Sequence, residues 1–144
     1  MLNKPTILAI LLLLPMTTLD SQAPDTALGD RARALHKQSP LIDGHNDFPW
    51  AVREKAQRDL SHLDISKAQP AIMTGSAGLR AGGVGGQFWS VYVPAELQGQ
   101  AAVTATLEQI DIVYAMLRKY PETFELAMTA DDVERMFKKG KVAS

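Results

Sequence analysis

The sequence contains no cysteine among its 144 residues. Disulfide bonds are therefore excluded, and so is a lipid-modified cysteine near the N-terminus. The formal net charge is only −1, so no charge excess favours nucleic acid or an anionic surface as a partner. An exported protein of this composition must obtain its stability from packing or from a bound metal.

The sequence also lacks an apolar run long enough to span a membrane. Residues 7–14 are unbroken apolar residues between Lys4 and Pro15, whereas a spanning helix needs roughly 20. A positive N-terminus followed by a short apolar run predicts a secretory signal peptide over residues 1–23, with cleavage after Ala23. The protein is then expected to be secreted or periplasmic. The alternative is an uncleaved anchor, which would give a membrane-anchored protein outside the cytoplasm.

A phosphate-binding loop is absent from the glycine-rich stretch. Residues 66–86 are rich in Gly, Ala, Pro and Ser, but they contain neither Gly-x-Gly-x-x-Gly nor Gly-Lys-Ser/Thr. We expect this stretch to connect and turn. Its glycines would allow close approach of the backbone before the next strand.

The remaining residues alternate between helical and extended patterns. Helices are predicted over residues 25–38, 51–60, 96–120 and 129–140, and strands over 41–43, 87–93, 124–128 and from 141 onward. The helix at 96–120 has one apolar stripe, which is typical of a helix that packs one face on a core. The members of this stripe are Val103, Leu107, Ile110, Tyr114 and Leu117.

This alternation is typical of a parallel sheet with helices outside it. A closed barrel takes about 250 residues, roughly twice what remains after the predicted signal peptide. We therefore predict an α/β fold: the N-terminal part of a (β/α)8 barrel of the TIM type, incomplete in this chain. Residues 24–144 would supply about the first three strands. A small self-contained α/β sandwich is the structural alternative.

His45 and Asp47, at the end of the first predicted strand, have the chemistry of metal ligands. On an extended backbone, residues two apart project to the same side. An imidazole nitrogen and a carboxylate oxygen suit a borderline cation such as Zn²⁺. The alternative is an ordinary polar turn, because Asp43, Gly44 and Asn46 have turn chemistry of their own. Trp50, just beyond, either lines a substrate pocket or serves packing.

Separated blocks of the sequence resemble the renal or membrane dipeptidase family. They are DGHNDFPW at 43–50, LRAGGVGGQFWSVYVP at 79–94, TLEQ at 106–109, YPETF at 120–124 and GKVAS at 140–144. The likeness extends from about Arg31 to the last residue, although residues 72–77 depart from the family pattern. The resemblance implies a metallo-dependent hydrolase on a (β/α)8 barrel that cleaves dipeptides at two zinc ions. It makes His45 and Asp47 the first two ligands of one metal, and it assigns no catalytic residue and no further cofactor-binding residue here.

The same resemblance implies that the bridging carboxylate, the later histidines and the substrate-binding residues follow Ser144. In the complete enzyme, two cations would polarise the scissile carbonyl and hold a bridging water. Asp43 and Asn46 are candidates to orient the two ligands, or else they hydrogen-bond local backbone as turn residues. We expect this chain to be an N-terminal fragment that is inactive alone, and aggregated or molten when made alone. A noncatalytic exported binding or assembly module is the alternative function. A homo-oligomer, the substrate preference and a C-terminal lipid anchor are left open.

Overall fold

A computed structural model of the protein describes residues 26–69 and 72–144. The predicted signal peptide, residues 1–23, lies outside the described residues. Among those described, no helix has the length and apolar character that crossing a membrane would require. The elements in chain order are α1 (Thr26–Gln38), β1 (Leu41–Asn46), α2 (Phe48–Ala56), α3 (Ser76–Ala81), β2 (Val84–Trp89), α4 (Gly99–Lys119), β3 (Phe124–Glu125), α5 (Ala130–Lys138) and β4 (Val142–Ala143).

The four described strands form one parallel sheet in the order β1-β2-β4-β3. The predicted α/β class with a parallel sheet is confirmed. β4 lies between β2 and β3, because the chain leaves β3, passes through α5 and returns on the inner side of β3. All carboxyl ends of these strands therefore meet at one edge of the sheet.

The position of β2 was predicted wrongly. The strand covers Val84–Trp89 instead of residues 87–93, so it begins within the glycine-rich stretch. A Cβ atom at Gly85 would lie only 2.5 Å from Pro40 Cβ and 2.8 Å from Phe137 Cδ2. Glycine stands inside this strand because two neighbouring segments approach its backbone. The preceding α3 lies in the stretch that was predicted only to connect and turn.

Helix α2 also begins earlier than predicted, at Phe48 instead of Ala51. Pro49 lies in its first turn, where a missing N–H and a fixed φ are favourable. The helix ends at Ala56, since Gln57 adopts a left-handed conformation with φ 50° and donates its N–H back to the helix. Phe48 and Pro49, which precede the predicted helix at 51–60, are therefore its first turn.

Helix α4 forms close to its predicted bounds, but Leu117 is the one member of its predicted stripe that is buried. Val103, Leu107 and Tyr114 of the predicted stripe are 60%, 58% and 41% exposed. The rotation of the helix is fixed in part by Arg53 of α2, whose Nη1 donates to Glu108 Oε2 at 2.7 Å. That contact holds the pKa of Glu108 below its usual range. The buried positions are Ala105, Gln109, Ile112, Met116 and Leu117.

Helix α5, within the predicted helix at 129–140, begins with a side-chain cap at Thr129. Thr129 Oγ1 accepts from the Asp132 N–H at 3.2 Å, and Asp132 Oδ2 accepts from the Thr129 N–H at 3.0 Å. This reciprocal capping box satisfies two main-chain donors that the helix itself leaves free. The Arg135 guanidinium, more than the main-chain donors, lowers the pKa of Asp132 to about 2.

Three polar side chains anchor the loop after α2 to the end of α4. We call them the Asp64–Tyr120 cluster; its members are Asp64, Ser66 and Tyr120. Asp64 Oδ1 accepts from Ser66 Oγ at 2.6 Å, from the Ser66 N–H at 2.9 Å and from Tyr120 Oη at 2.8 Å. The Ser66 hydroxyl is the largest cause that holds the pKa of Asp64 well below its usual range. Burial, together with Asp64, raises the pKa of Tyr120.

Candidate metal centre

His45 and Asp47 lie at the carboxyl edge of the sheet, where α/β proteins usually place their active sites. His45 is the penultimate residue of β1, and Asp47 is the residue before α2. His45 Nε2 and Asp47 Oδ1 are 2.9 Å apart, and the two side chains are 68% and 50% exposed. The structure thus brings the two predicted ligands together on a surface that a cation can reach.

The backbone that joins them is not the regular strand from which their proximity was predicted. Asp43 pairs with Gln87 and Asn46 with Trp89, so three steps along β1 match two steps along β2. This extra residue is a β-bulge, a feature that re-aims side chains beside active sites. Asp47 has φ −88° and ψ 18°, which is not an extended conformation. The side chains therefore converge through a bulge and a helix start, and simple alternation does not explain their contact.

Two aromatic side chains flank the pair. The ring of Tyr92 lies 6.4 Å from that of His45 with an interplanar angle of 27°, and the ring of Trp50 lies 5.7 Å from that of Tyr92. Trp50 thus belongs to an aromatic wall beside His45. Tyr92 was not predicted as a site residue. The available signal was its position just past β2, since neighbouring parallel strands end at the same edge.

Cavities open on both sides of His45. One of about 380 Å³ lies between residues 45–48 and residues 72–74. Another, of about 340 Å³, lies between His45 and residues 88–92. Each has the size of a small-ligand site. A more apolar cavity of about 320 Å³ between β2, β4 and α4 has no carboxylate or imidazole in its lining. The chemistry of the chain is therefore at the carboxyl edge.

The pair offers two donor atoms of the kind that bind metals, an imidazole nitrogen and a carboxylate oxygen. Within residues 26–69 and 72–144, no three His, Asp or Glu side chains gather closely enough to hold an ion. Asp43 and Asn46, the candidates for orienting the ligands, both bond local backbone. Asp43 Oδ1 accepts from the His45 N–H at 3.0 Å, and Asn46 Oδ1 accepts from the Phe48 N–H at 3.0 Å. This is the role that the turn interpretation expected of Asp43, whereas the Asn46 side chain also bonds Thr74 and Gln87.

A sequence model of the membrane dipeptidase family, peptidase family M19, matches residues 29–144. The chain belongs to this family. Dipeptidase ataJ of Aspergillus terreus is 39% identical over 122 residues, which are 79% of this chain and 30% of that protein. Dipeptidase 3 of Rattus norvegicus is 42% identical over 107 residues, which are 74% of this chain and 22% of that protein. The chain thus spans less than a third of the length of these M19 relatives.

Solved M19 structures have the same fold. The crystal structure of the metallopeptidase dipeptidase AC matches with a TM-score of 0.57 and 24% identity, over 72% of this chain and 33% of that one. A metallopeptidase of Rhodobacter sphaeroides, liganded with a phosphinate mimic of the dipeptide L-Ala-D-Ala, matches with a TM-score of 0.56 and 22% identity, over 72% and 36%. The predicted fold class, part of a (β/α)8 barrel, is confirmed. Membership of a metallopeptidase family also implies a metal cofactor.

Proposed function

We propose that His45 and Asp47 form the first part of a zinc site in a dipeptidase that hydrolyses the peptide bond of dipeptides. The observation that supports this most directly is the 2.9 Å contact of the two side chains at the carboxyl edge of the sheet. M19 membership and the dipeptidase names of the relatives add the reaction class.

The geometry of the pair fits a shared cation. Zinc binds imidazole nitrogen at about 2.0–2.1 Å and carboxylate oxygen at about 2.0–2.2 Å, so two such donors lie roughly 2.9–3.4 Å apart at ordinary coordination angles. The contact of 2.9 Å is at the short end of that range. A cation bound by this pair would replace the direct contact between the two side chains.

The other residues of the edge have roles that follow from their positions. Tyr92 lies beside the His45 ring, nearly parallel to it, with 6.4 Å between the ring centroids. Trp50 and Tyr92 together offer a substrate side chain an apolar surface beside the metal pair. When bound, the zinc ions would polarise the scissile carbonyl and make a bridging water nucleophilic at neutral pH. His45 and Asp47 would hold one of these ions.

We also propose that the 144 residues alone are inactive. Two ligands are too few to hold the two metals of the family's site. Residues 1–23 are proposed to direct export.

The test compares the 144-residue chain with the natural protein produced from its complete reading frame. The natural protein should release amino acids from dipeptides, lose this activity to a chelator and regain it with Zn²⁺. The 144-residue chain should release none. Chelator-insensitive or absent hydrolysis by the natural protein would refute the proposed function, and absent hydrolysis would favour the noncatalytic module. Chelator-sensitive release by the 144-residue chain would refute its inactivity alone.

A further inference from the structure

Asn46, the residue between the two proposed ligands, is hydrogen-bonded to four separate segments. Its Oδ1 accepts from the Phe48 N–H at 3.0 Å and from Thr74 Oγ1 at 3.1 Å. Its Nδ2 donates to Gln87 Oε1 at 3.3 Å, and its carbonyl oxygen accepts from the Ser90 N–H at 2.9 Å. These bonds join the start of α2, the loop at 72–74, the middle of β2 and the residue after β2.

Gln87 carries the connection across the bulge. Its side chain is almost fully buried, and its Nε2 donates to the carbonyl oxygens of Asp43 and Phe88, at 3.3 Å each. The Asn46–Gln87 contact therefore ties together both ends of the bulge that contains His45. A regular strand would be held there by ladder bonds, but a bulge interrupts the ladder. Side chains replace the missing bonds.

A local turn alone does not account for this arrangement. A turn at the start of α2 requires only the bond from the Phe48 N–H to Asn46 Oδ1. The donation from Nδ2 to Gln87 and the bond from Thr74 lead away from the helix. The first holds β1 against β2, and the second holds a wall of the cavity beside His45 and Asp47.

We infer that Asn46 is a positioning residue for the proposed metal site: its side chain fixes the bulge, the start of α2 and the loop at 72–74, and so sets the directions of His45 and Asp47. This inference rests on the proposed function. The peptide units of Asn46 connect directly to both ligand residues, so a change in its backbone moves both side chains. Metal sites tolerate only small displacements of their ligands, about 0.2 Å in ligand distance.

The test measures zinc affinity in the natural protein produced from its complete reading frame, by competition with a chromogenic chelator. Asn46→Ala removes all three side-chain bonds and should weaken zinc binding roughly 10–100-fold, the usual effect of losing an outer-shell partner. Thr74→Val removes one bond in a surface loop and should weaken it a few-fold. With Co²⁺ in place of zinc, the visible spectrum of Asn46→Ala should shift, because ligand directions change.

Tyr120→Phe is the matched control, since it removes a hydrogen bond of the Asp64–Tyr120 cluster and leaves the metal pair alone. It should lower the unfolding midpoint without changing zinc affinity or the Co²⁺ spectrum. If Asn46→Ala fails to fold, Thr74→Val decides: an affinity equal to the unsubstituted protein overturns the inference. Zinc affinity of a folded Asn46→Ala equal to that of Tyr120→Phe overturns it too. His45→Ala and Asp47→Ala separate the two claims, because unchanged zinc binding in these variants refutes the proposed function itself.

Discussion

The His45–Asp47 pair and the Asp64–Tyr120 cluster are both built around a carboxylate, yet their surroundings differ. The Asp64 side chain is 17% exposed, and its Oδ1 accepts three hydrogen bonds from Ser66 and Tyr120. The Asp47 side chain is half exposed and meets the imidazole of His45. An ionised carboxylate has about four acceptor positions. The three hydrogen bonds at Asp64 fasten one loop to the end of α4, whereas positions open to solvent at Asp47 remain for a ligand.

The largest effect should come from substituting the pair in the natural protein. His45→Ala and Asp47→Ala remove proposed zinc ligands, so we expect kcat/KM for dipeptides to fall roughly a hundredfold or more. Both side chains are exposed, so the free energy of unfolding of the metal-free protein should change by less than about 0.5 kcal/mol. Steady-state kinetics and urea unfolding measure the two quantities. If these variants lose activity and are also destabilised by clearly more than about 0.5 kcal/mol, the distinction between the two regions is wrong.

Tyr120→Phe should have the opposite effect, a loss of stability without a loss of activity. Removal of the phenol leaves the ionised Asp64 without one donor, which should cost about 1–2 kcal/mol in the free energy of unfolding. Activity and zinc content should be unchanged, because the cluster lies outside the metal pair. Urea unfolding of the natural protein, monitored by fluorescence, gives the shift. A loss of kcat/KM at full zinc occupancy would show that the cluster acts on the site.

The pKa shifts of the cluster predict loss of stability at both ends of the pH scale. The folded pKa of Asp64 lies below its unfolded value of about 3.9, so its contribution is present above that pH and is lost as pH falls toward the folded pKa. The folded pKa of Tyr120 lies above its unfolded value of about 10, so its contribution is present below pH 10 and is lost as pH rises toward the folded pKa. Asp64→Asn should flatten the acid limb of unfolding midpoint against pH, and Tyr120→Phe the alkaline limb. If the acid and alkaline limbs are unchanged in these variants, Asp64 and Tyr120 are not the groups responsible for the loss of stability.

The smallest effect should come from Lys67, which faces Asp64 at 3.5 Å but is three-quarters exposed. Exposed ion pairs contribute little, so Lys67→Ala should change the free energy of unfolding by less than about 1 kcal/mol. Ser66→Ala is the companion variant, and it should cost more because it removes the 2.6 Å hydrogen bond to Asp64. A larger loss in Lys67→Ala would mean that charge, and not hydrogen bonding, holds the cluster.

Local signals in the sequence predicted several elements correctly. Thr129 and Asp132 have the spacing of a capping box, and the structure forms it. The helix at 99–119 and the short strand that leads to His45 were also predicted, because both depend on patterns of neighbouring residues. Local signals could not place β2, whose start at Val84 depends on Pro40 and Phe137 packing against Gly85.

The buried face of α4 shows the same division. Sequence periodicity favoured Val103 and Leu107, but the helix turns Gln109 and Met116 inward. Two stripes on this helix have helical spacing, so hydrophobicity alone could not choose between them. In the structure, the ion pair of Arg53 and Glu108 joins α4 to α2 in the orientation that buries the second stripe.

By itself, the sequence determined which side chains follow the first strand, where the α5 helix begins at its Thr129 cap, and to which family the blocks of motif belong. These features depend on the identity of side chains and on contacts between residues a few positions apart. Both follow directly from the amino-acid sequence. Only the tertiary structure decided how His45 and Asp47 meet. The two residues flank Asn46 at a bulge, and Asn46 is hydrogen-bonded there to Gln87, which lies 41 positions away. Interactions across such a separation arise only when the chain has folded and the strands have found their register.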